Sequence, residues 1–482
     1  MRSVVEGPLA PLRERNGKNL ASLGPSTAFG GPPPREISGR IKVDFARSSH
    51  PGVQAQLDRL ARLGPGADIL GLERIRALLA RIANPEAALP PVFHVAGTNG
   101  KGSTCAFLRA GIEAAGHTVH VYTSPHLVRF NERIRLAGRL IDDDALATLL
   151  SEVLDAADGL TISFFEATTA AAFLAFARTP ADACVIEVGL GGRLDATNAI
   201  PASLVGGIAQ LGLDHQQFLG GTIEEVAVEK AGIARQGVPL LTQLYARRAA
   251  DRVRDIAREA GATWLPRGGA WDAIANNDRL LYRDAQGEIA LPLPRLPGNH
   301  QAMNAGLALA MLRHQDRIDL PPASLRALTG WAEWPARLQR LAPGPLAALL
   351  PEGAQLWLDG AHNPAAARSI AAWLDSGALG SSVVHLVMGI LANKDLPGIL
   401  RPFGGSGAMI HAVPVPGHAH HAPEAIAAEA RKLGLSALPS ENVETALAAI
   451  ARLSSGKPPA VLIMGSLYLA GEVLSANGQA PE

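Results

Sequence analysis

Short apolar strands alternating with alanine-rich helices predict an α/β fold: a mostly parallel sheet flanked by helices, followed by a smaller C-terminal α/β domain. Three observations carry this. PPVFHVAGTNGKGST runs from an apolar stretch through a glycine-rich turn into a helix-compatible segment. HTVHVYTS, ADACVIEVG and SLVGGIAQLG read as further strands with helical stretches between them. The alternation restarts at AQLWLDGAHNPAAARSIAAWL, after the tryptophans and proline of WAEWPARL, which places a domain boundary near Trp334 and gives domains over 48–334 and 335–482.

Residues 1–47, including LGPSTAFGGPPPR, lack periodicity and are rich in glycine, proline and arginine, so a disordered N-terminal extension is expected; a misassigned start codon serves as well as a functional tail. From Val53 the pattern turns helical, with Leu57, Leu60 and Leu63 on one face, and a second amphipathic run spans Leu72 to Ile82. Val92 to Val95 forms a strand, and NHQAMNAGLALAMLR is the helix that precedes the boundary. A length of 482 residues, 48% of them hydrophobic, suffices for two cores. Lysine plus arginine balance aspartate plus glutamate at 44 each, so nothing steers the chain toward nucleic acid or an anionic membrane, and any anion is captured locally. Cys105 and Cys184 are too few for a disulfide framework. With no apolar run near the roughly 20 residues of a membrane span and no secretory signal, a soluble chain is expected; the two scattered cysteines fit a reducing cytoplasm, and a monomer is expected.

The turn formed by Gly97, Thr98, Asn99, Gly100, Lys101, Gly102 and Ser103 carries the chemistry. A strand, a turn of small residues and a helix in that order aim backbone N–H groups and the positive helix end at one point, and Lys101 adds charge for the outer phosphates of a nucleotide such as ATP. The turn departs from the common P-loop pattern: Val95 stands where glycine is usual, and Gly102 where a hydroxyl should grip magnesium. Ser103 is displaced by one, so another part of the chain should hold the metal. Glu187 ends a strand at the carboxyl edge of the sheet, facing a ligand crevice or simply solvent. His215 follows another strand, where a capping or packed role is the commoner one. Thr222 and Glu225 form a capping box, and Ile223, Val226, Ala227, Lys230 and Ala234 share one helix face, centring Lys230 on an apolar stripe where a charged amine must be paired, chemically altered or extended to the rim.

GTNGKGS, YTSPHLVRFNERI, FFEATT, EVGLGGRLDATN, GLDHQQFLG, EKAGIA, GNHQAMNA, LDGAHNP and GSLYLAGE follow one another in the order and approximate spacing of the folylpolyglutamate synthase and dihydrofolate synthase family, relatives of the Mur ligases, which the chain resembles over residues 50–475. The resemblance implies a P-loop domain followed by a Rossmann-like domain that carries glutamate-ligase residues. It implies two magnesium ions: Ser124 and Glu187 at the first, His215 and a carbamylated Lys230 at the second. It assigns Phe165 and Asp195 to the pterin of dihydropteroate, Asn304 to adenine, Asp359 to the ribose or its linked phosphate, Arg337 to the phosphates, His362 to the reacting centre and Ser466 to the glutamate site. Local chemistry alone offers a turn before proline for Ser124, core packing for Phe165 and helix capping or exposure for Asn304. Asn363 and Pro364 suit an N-cap and first helical position. The cluster His418, His420 and His421 lacks acidic or cysteine partners and reads as a solvated loop rather than a metal site.

Together these imply an ADP-forming ligase, with ATP and Mg2+, that joins L-glutamate to dihydropteroate and to folates through an acyl phosphate, its site assembled where the two domains meet. A chain-extension-only folylpolyglutamate synthase is the alternative. A Mur peptidoglycan ligase is weakened because only about 50 orderly residues precede the turn, and an ATP-dependent switch because it needs no second metal.

Overall fold

In the computed structural model, residues 48–63, 70–276, 278–380, 383–454 and 457–481 are described; the expected N-terminal extension lies outside them, as does the side chain of Leu63. Helices α1 (Pro51–Leu63) and α2 (Glu73–Arg81) precede strand β1 (Val92–Ala96), which leads through the glycine turn into α3 (Lys101–Ala114). Then come β2 (Val119–Tyr122), β3 (Ile134–Leu136), β4 (Arg139–Leu140), α4 (Asp143–Ala156), α5 (Phe164–Arg178), β5 (Ala183–Glu187) and β6 (Val205–Ile208). The short α6 (Gln216–Leu219), α7 (Ile223–Ala231), β7 (Pro239–Thr242), α8 (Arg247–Glu259) and β8 (Thr263–Pro266) complete the first sheet. Its order is β4-β3-β2-β5-β1-β6-β7-β8, parallel except for the hairpin β3–β4 and its pairing with β2.

Alternation along the strands buries both faces of this sheet, as a parallel sheet requires. On β5, Cys184 and Ile186 join the core beneath α1, α2, α4 and α5, while Ala183 and Val185 join the core beneath α3 and two later helices, α9 (Asn299–Arg313) and α10 (Pro322–Trp331). Leu57 and Leu60 are buried on the α1 face as the periodicity predicts. Both cysteines are free and buried, acting as small apolar residues.

Between β8 and α9 lies an antiparallel sheet that the strand–helix alternation did not anticipate: β9 (Trp271–Ala275), β10 (Arg279–Asp284) and β11 (Gly287–Pro292). Trp271, Ala273, Leu280, Tyr282 and Leu291 point one way into the α9 core, so it is a one-sided sheet with period-two burial.

The third sheet comprises β12 (Gln339–Arg340), β13 (Gln355–Leu358), β14 (Val384–Met388), β15 (Met409–Ala412), β16 (Ser436–Pro439) and β17 (Ala460–Met464). Its order is β12-β13-β17-β14-β15-β16, parallel apart from β12. Helices α11 (Pro364–Asp375), α12 (Leu396–Leu400), α13 (Pro423–Lys432), α14 (Val443–Leu453) and α15 (Leu467–Ala476) connect or cover these strands. No helix among the described residues is long and apolar enough to cross a membrane.

Parallel strands place their carboxyl ends on one edge, so the turns after β1, β2, β5 and β6 emerge together, and those after β13, β14 and β17 do likewise. All seven turns contribute to one cleft.

Candidate active site

The cleft has a volume of about 970 Å3. From the first sheet it is lined by the whole 97–103 turn with Ser124, Phe165, Glu187, Asp195, His215, Lys230 and Asn304; from the later part of the chain come Arg337, Asp359, His362 and Ser466. Every residue singled out in the sequence for nucleotide, substrate or metal therefore reaches one cavity.

Lys101 opens α3, whose N-cap Gly100 takes a left-handed φ of 84° and offers no side-chain cap, so the first-turn N–H groups remain for a ligand. Ser103 Oγ is buried with no hydrogen-bond partner among the described residues. The departure at position 102 has a steric cause: a Cβ on Gly102 would lie 2.7 Å from the Trp334 indole. Thr98 and Asn99 are also engaged within the chain. Their N–H groups donate to the Gln210 carbonyl at 2.8 and 3.3 Å, the Thr98 hydroxyl donates to Gly212 O at 2.9 Å, and the Asn99 and Asn363 amides exchange hydrogen bonds at 3.2 and 2.9 Å.

Lys101 Nζ lies 3.8 Å from Glu187 Oε1, and Glu187 Oε2 accepts the Ser124 N–H at 3.1 Å. Burial pushes the Glu187 carboxyl up, against the pull of Lys101. Lys230 is buried on α7, whose Thr222/Glu225 capping box forms as read; Ala234 lies past the end of that helix, so it is not part of the helical stripe. Its Nζ donates to Gly97 O at 2.9 Å, with no ion pair among the described residues. Burial, then Lys101, lowers the amine to about 7. His215 sits at φ 50° at the head of α6.

Across the cleft, Asp359 Oδ2 accepts from Leu338 N and Oδ1 from Ala361 N, both at 2.7 Å, so this carboxylate braces the inter-sheet strap as well as lining the cleft. Ala336 and Leu338, flanking Arg337, both hold left-handed φ values, 53° and 44°. His362 Nδ1 faces the Gly360 carbonyl at 2.8 Å, which fixes a proton there. Asn363 caps α11 through Ala366 N at 2.9 Å, with Pro364 opening the helix. Ser466 caps α15.

Asp195 accepts from Leu190 N at 2.7 Å and from the Thr197 N–H and hydroxyl at 3.0 and 2.5 Å, leaving little of its capacity free. Phe165 lies against Gly189, where a Cβ would run into its ring. Asn304 Nδ2 donates to Gln301 Oε1 at 3.1 Å.

The Dihydrofolate synthetase, C-terminal domain family matches residues 346–476. The dihydrofolate synthase/folylpolyglutamate synthase of Escherichia coli is 36% identical over 332 residues, 69% of this chain and 74% of that protein. The chain belongs to the dihydrofolate synthase and folylpolyglutamate synthase family. Two solved structures agree: E. coli FolC in complex with DHPP and ADP superposes with a TM-score of 0.79 at 31% identity, covering 88% of this chain and 97% of that one. A bifunctional folylpolyglutamate synthase/dihydrofolate synthase with Mn, AMPPNP and L-glutamate bound gives 0.76 at 30%, covering 88% and 97%.

In this family member several cleft residues escaped the sequence reading. Asp214, beside His215 in GLDHQ, takes Lys394 Nζ at 2.6 Å and Asn363 Nδ2 at 3.3 Å and lies 3.5 Å from His362 Nε2. Burial raises this carboxyl, but His362 and Lys394 outweigh it and hold it well below the carboxylate range. Glu166, the second half of a capping box with Ser163, pairs with Arg74 at 3.0 Å. The box was legible as S-x-x-E; its ion pair was not. The histidines 418, 420 and 421 are half-buried rather than solvated: His418 stacks on Tyr468 with ring centroids 3.8 Å apart, His420 Nδ1 meets His418 O, and His421 Nε2 meets Lys394 O.

Proposed function

We propose that this chain catalyses ADP-forming ligation of L-glutamate to folates, taking dihydropteroate as its first acceptor and folates for chain extension. The observation that supports it most is that Lys101 and Glu187, on one sheet, share a cleft with Asp359, His362 and Ser466 of the other. A solved relative holds AMPPNP, Mn and L-glutamate, and another DHPP and ADP, in the same fold.

The γ-phosphoryl group passes from ATP to the acceptor carboxylate, giving ADP and an acyl phosphate; the glutamate α-amine then attacks the acyl carbon, the amide forms and phosphate leaves. The first turn of α3 and Lys101 hold the phosphates, and the unpartnered Ser103 hydroxyl suits a phosphate oxygen or a metal-bound water. Ser124 and Glu187 suit a divalent ion by donor type. Lys230, buried with a carbonyl as its hydrogen-bond partner, suits a carbamate that would add an oxygen donor beside His215 for a second. Bound Mg2+ supplies charge neutralisation on the moving phosphoryl group. Asp359 braces the backbone at Leu338 and Ala361, Arg337 suits the phosphates, and closure of the third sheet over the nucleotide would keep water from the acyl phosphate. Since one chain supplies both walls and its charges balance, a monomer acting without nucleic acid or membrane is the simplest assembly, with functional domains meeting near Trp334, and its two free cysteines suit a reducing cytoplasm.

The test is ADP release measured with glutamate against dihydropteroate, tetrahydrofolate and a UDP-muramoyl acceptor. Release with the first two supports the reading. Release with tetrahydrofolate alone leaves chain extension only, and release with the muramoyl acceptor overturns it.

A further inference from the structure

Arg133 is a buried cation that the reaction as described does not use. It ends a 3-10 turn, Phe130–Arg133, is 7% exposed and lines the cleft. Its guanidinium sits 5.4 Å from the ring centroids of both Phe130 and Phe164. Nε donates to His126 Nδ1 at 2.8 Å, which requires that nitrogen to be unprotonated, and burial together with Arg133 holds His126 well below its ordinary value. Neither Nη has a hydrogen-bond or ion-pair partner among the described residues.

A guanidinium keeps its charge in any protein, so burying it opposite two rings and a neutral imidazole is costly without an anion. The chain's nearby carboxylates are committed elsewhere. Glu132 spends its oxygens on the N–H groups of Leu127, Val128 and Arg129, at 2.8, 2.8 and 2.6 Å. Glu187 faces Lys101 and Ser124. The two phenyl rings hold the planar fork rigid, which favours two parallel N–H···O bonds to a carboxylate. Arg133 lines the cleft together with Phe165, which the resemblance assigns to the pterin, and Ser466, which it assigns to glutamate.

We propose that Arg133 binds a glutamyl carboxylate, belonging either to the incoming L-glutamate or to the last glutamate of a folate acceptor. The inference rests on the ligase reading above and assigns that site a carboxylate-selecting residue.

The test is steady-state ADP release by the full chain with ATP, a pteroate acceptor and a monoglutamyl folate acceptor, comparing wild type with Arg133→Gln and Arg133→Lys. If the incoming amino acid is the ligand, Arg133→Gln raises KM for glutamate roughly tenfold to a hundredfold with kcat far less affected, and narrows the preference for glutamate over glutamine. If the acceptor tail is the ligand, KM rises for the monoglutamyl folate and not for pteroate. Arg133→Lys, which keeps charge and loses the fork, gives a smaller but equally selective rise, and carries the test should the glutamine variant not fold. Variants that lose kcat with every KM and the glutamine discrimination unmoved would show a structural role and overturn the proposal. A wild-type chain that releases no ADP would sink the ligase reading and this inference together.

Discussion

Asp214 and Lys394 meet at 2.6 Å across the cleft, 180 residues apart in the chain, and both side chains are about nine-tenths buried. Asp214 belongs to the loop after β6 and Lys394 to the loop after β14, so this contact ties the carboxyl edges of the two parallel sheets together. Asn363 and His362 approach the same carboxylate from the third sheet. One aspartate thus gathers three side chains of the facing lobe.

Asp214→Asn should leave Lys394 a buried charge without its counter-ion and cost about 3 kcal/mol. Lys394→Met should cost a similar amount, and the double variant less than the sum. Denaturant unfolding of the four proteins measures the coupling, expected near 2 kcal/mol; additive losses would mean that the contact holds nothing together.

Restoring the usual hydroxyl beside the lysine should damage the turn. Gly102→Ser places a Cβ 2.7 Å from the Trp334 ring, and displacing that indole costs about 1–3 kcal/mol. Nucleotide titration should show weaker binding than in wild type, with recovery in Gly102→Ser/Trp334→Ala. Tighter binding by the single variant would refute the steric account.

If Lys230 carries a carbamate, protein equilibrated with 13C-bicarbonate and nucleotide should show a carbamate carbon resonance that is absent from Lys230→Arg. Ligation by that variant should fall at least about a hundredfold, in line with the loss of one charge-stabilising group. An unlabelled wild type with full activity would remove the second metal's oxygen donor.

Acid should destabilise the fold through a buried histidine. His94 lies wholly inside the sheet, its Nε2 3.0 Å from the Thr197 hydroxyl, and burial lowers it to about 3. Because the folded value is below the unfolded one, near 6.5, the unfolded chain binds the extra proton in that window, and stability is lost as pH falls from 6.5 toward 3. At pH 5 this one histidine accounts for about 2 kcal/mol. Unfolding midpoints at pH 7 and pH 5 should differ accordingly, and His94→Gln should shrink the difference; an unchanged gap would assign the acid sensitivity elsewhere.

Local patterns carried much of this architecture and little of its long-range chemistry. The capping boxes at Thr222 and Ser163 and the Asn363–Pro364 helix start obey short spacings, so they could be read directly or recovered afterwards. Lys230 was legible because helical periodicity put an amine on an apolar face, and the structure buries it. The Asp214–Lys394 contact, Trp334 over Gly102 and the phenyl cage of Arg133 join segments that no local period relates. Thr98 and Asn99 show the opposite limit: the motif marks them as phosphate contacts, while their side chains anchor the turn to Gly212, Gln210 and Asn363. The β9–β11 sheet went unread because its three strands follow one another with no helix between them, inside a chain read by its strand–helix alternation.

The most direct test of the central claim, that Lys101 holds the phosphates of ATP at a seam where glutamate and folate meet, is ADP release by Lys101→Ala in the presence of both substrates. The account predicts a fall of at least about a hundredfold to a thousandfold with an unchanged unfolding midpoint. ADP release near the wild-type rate, still dependent on glutamate and folate, would contradict it.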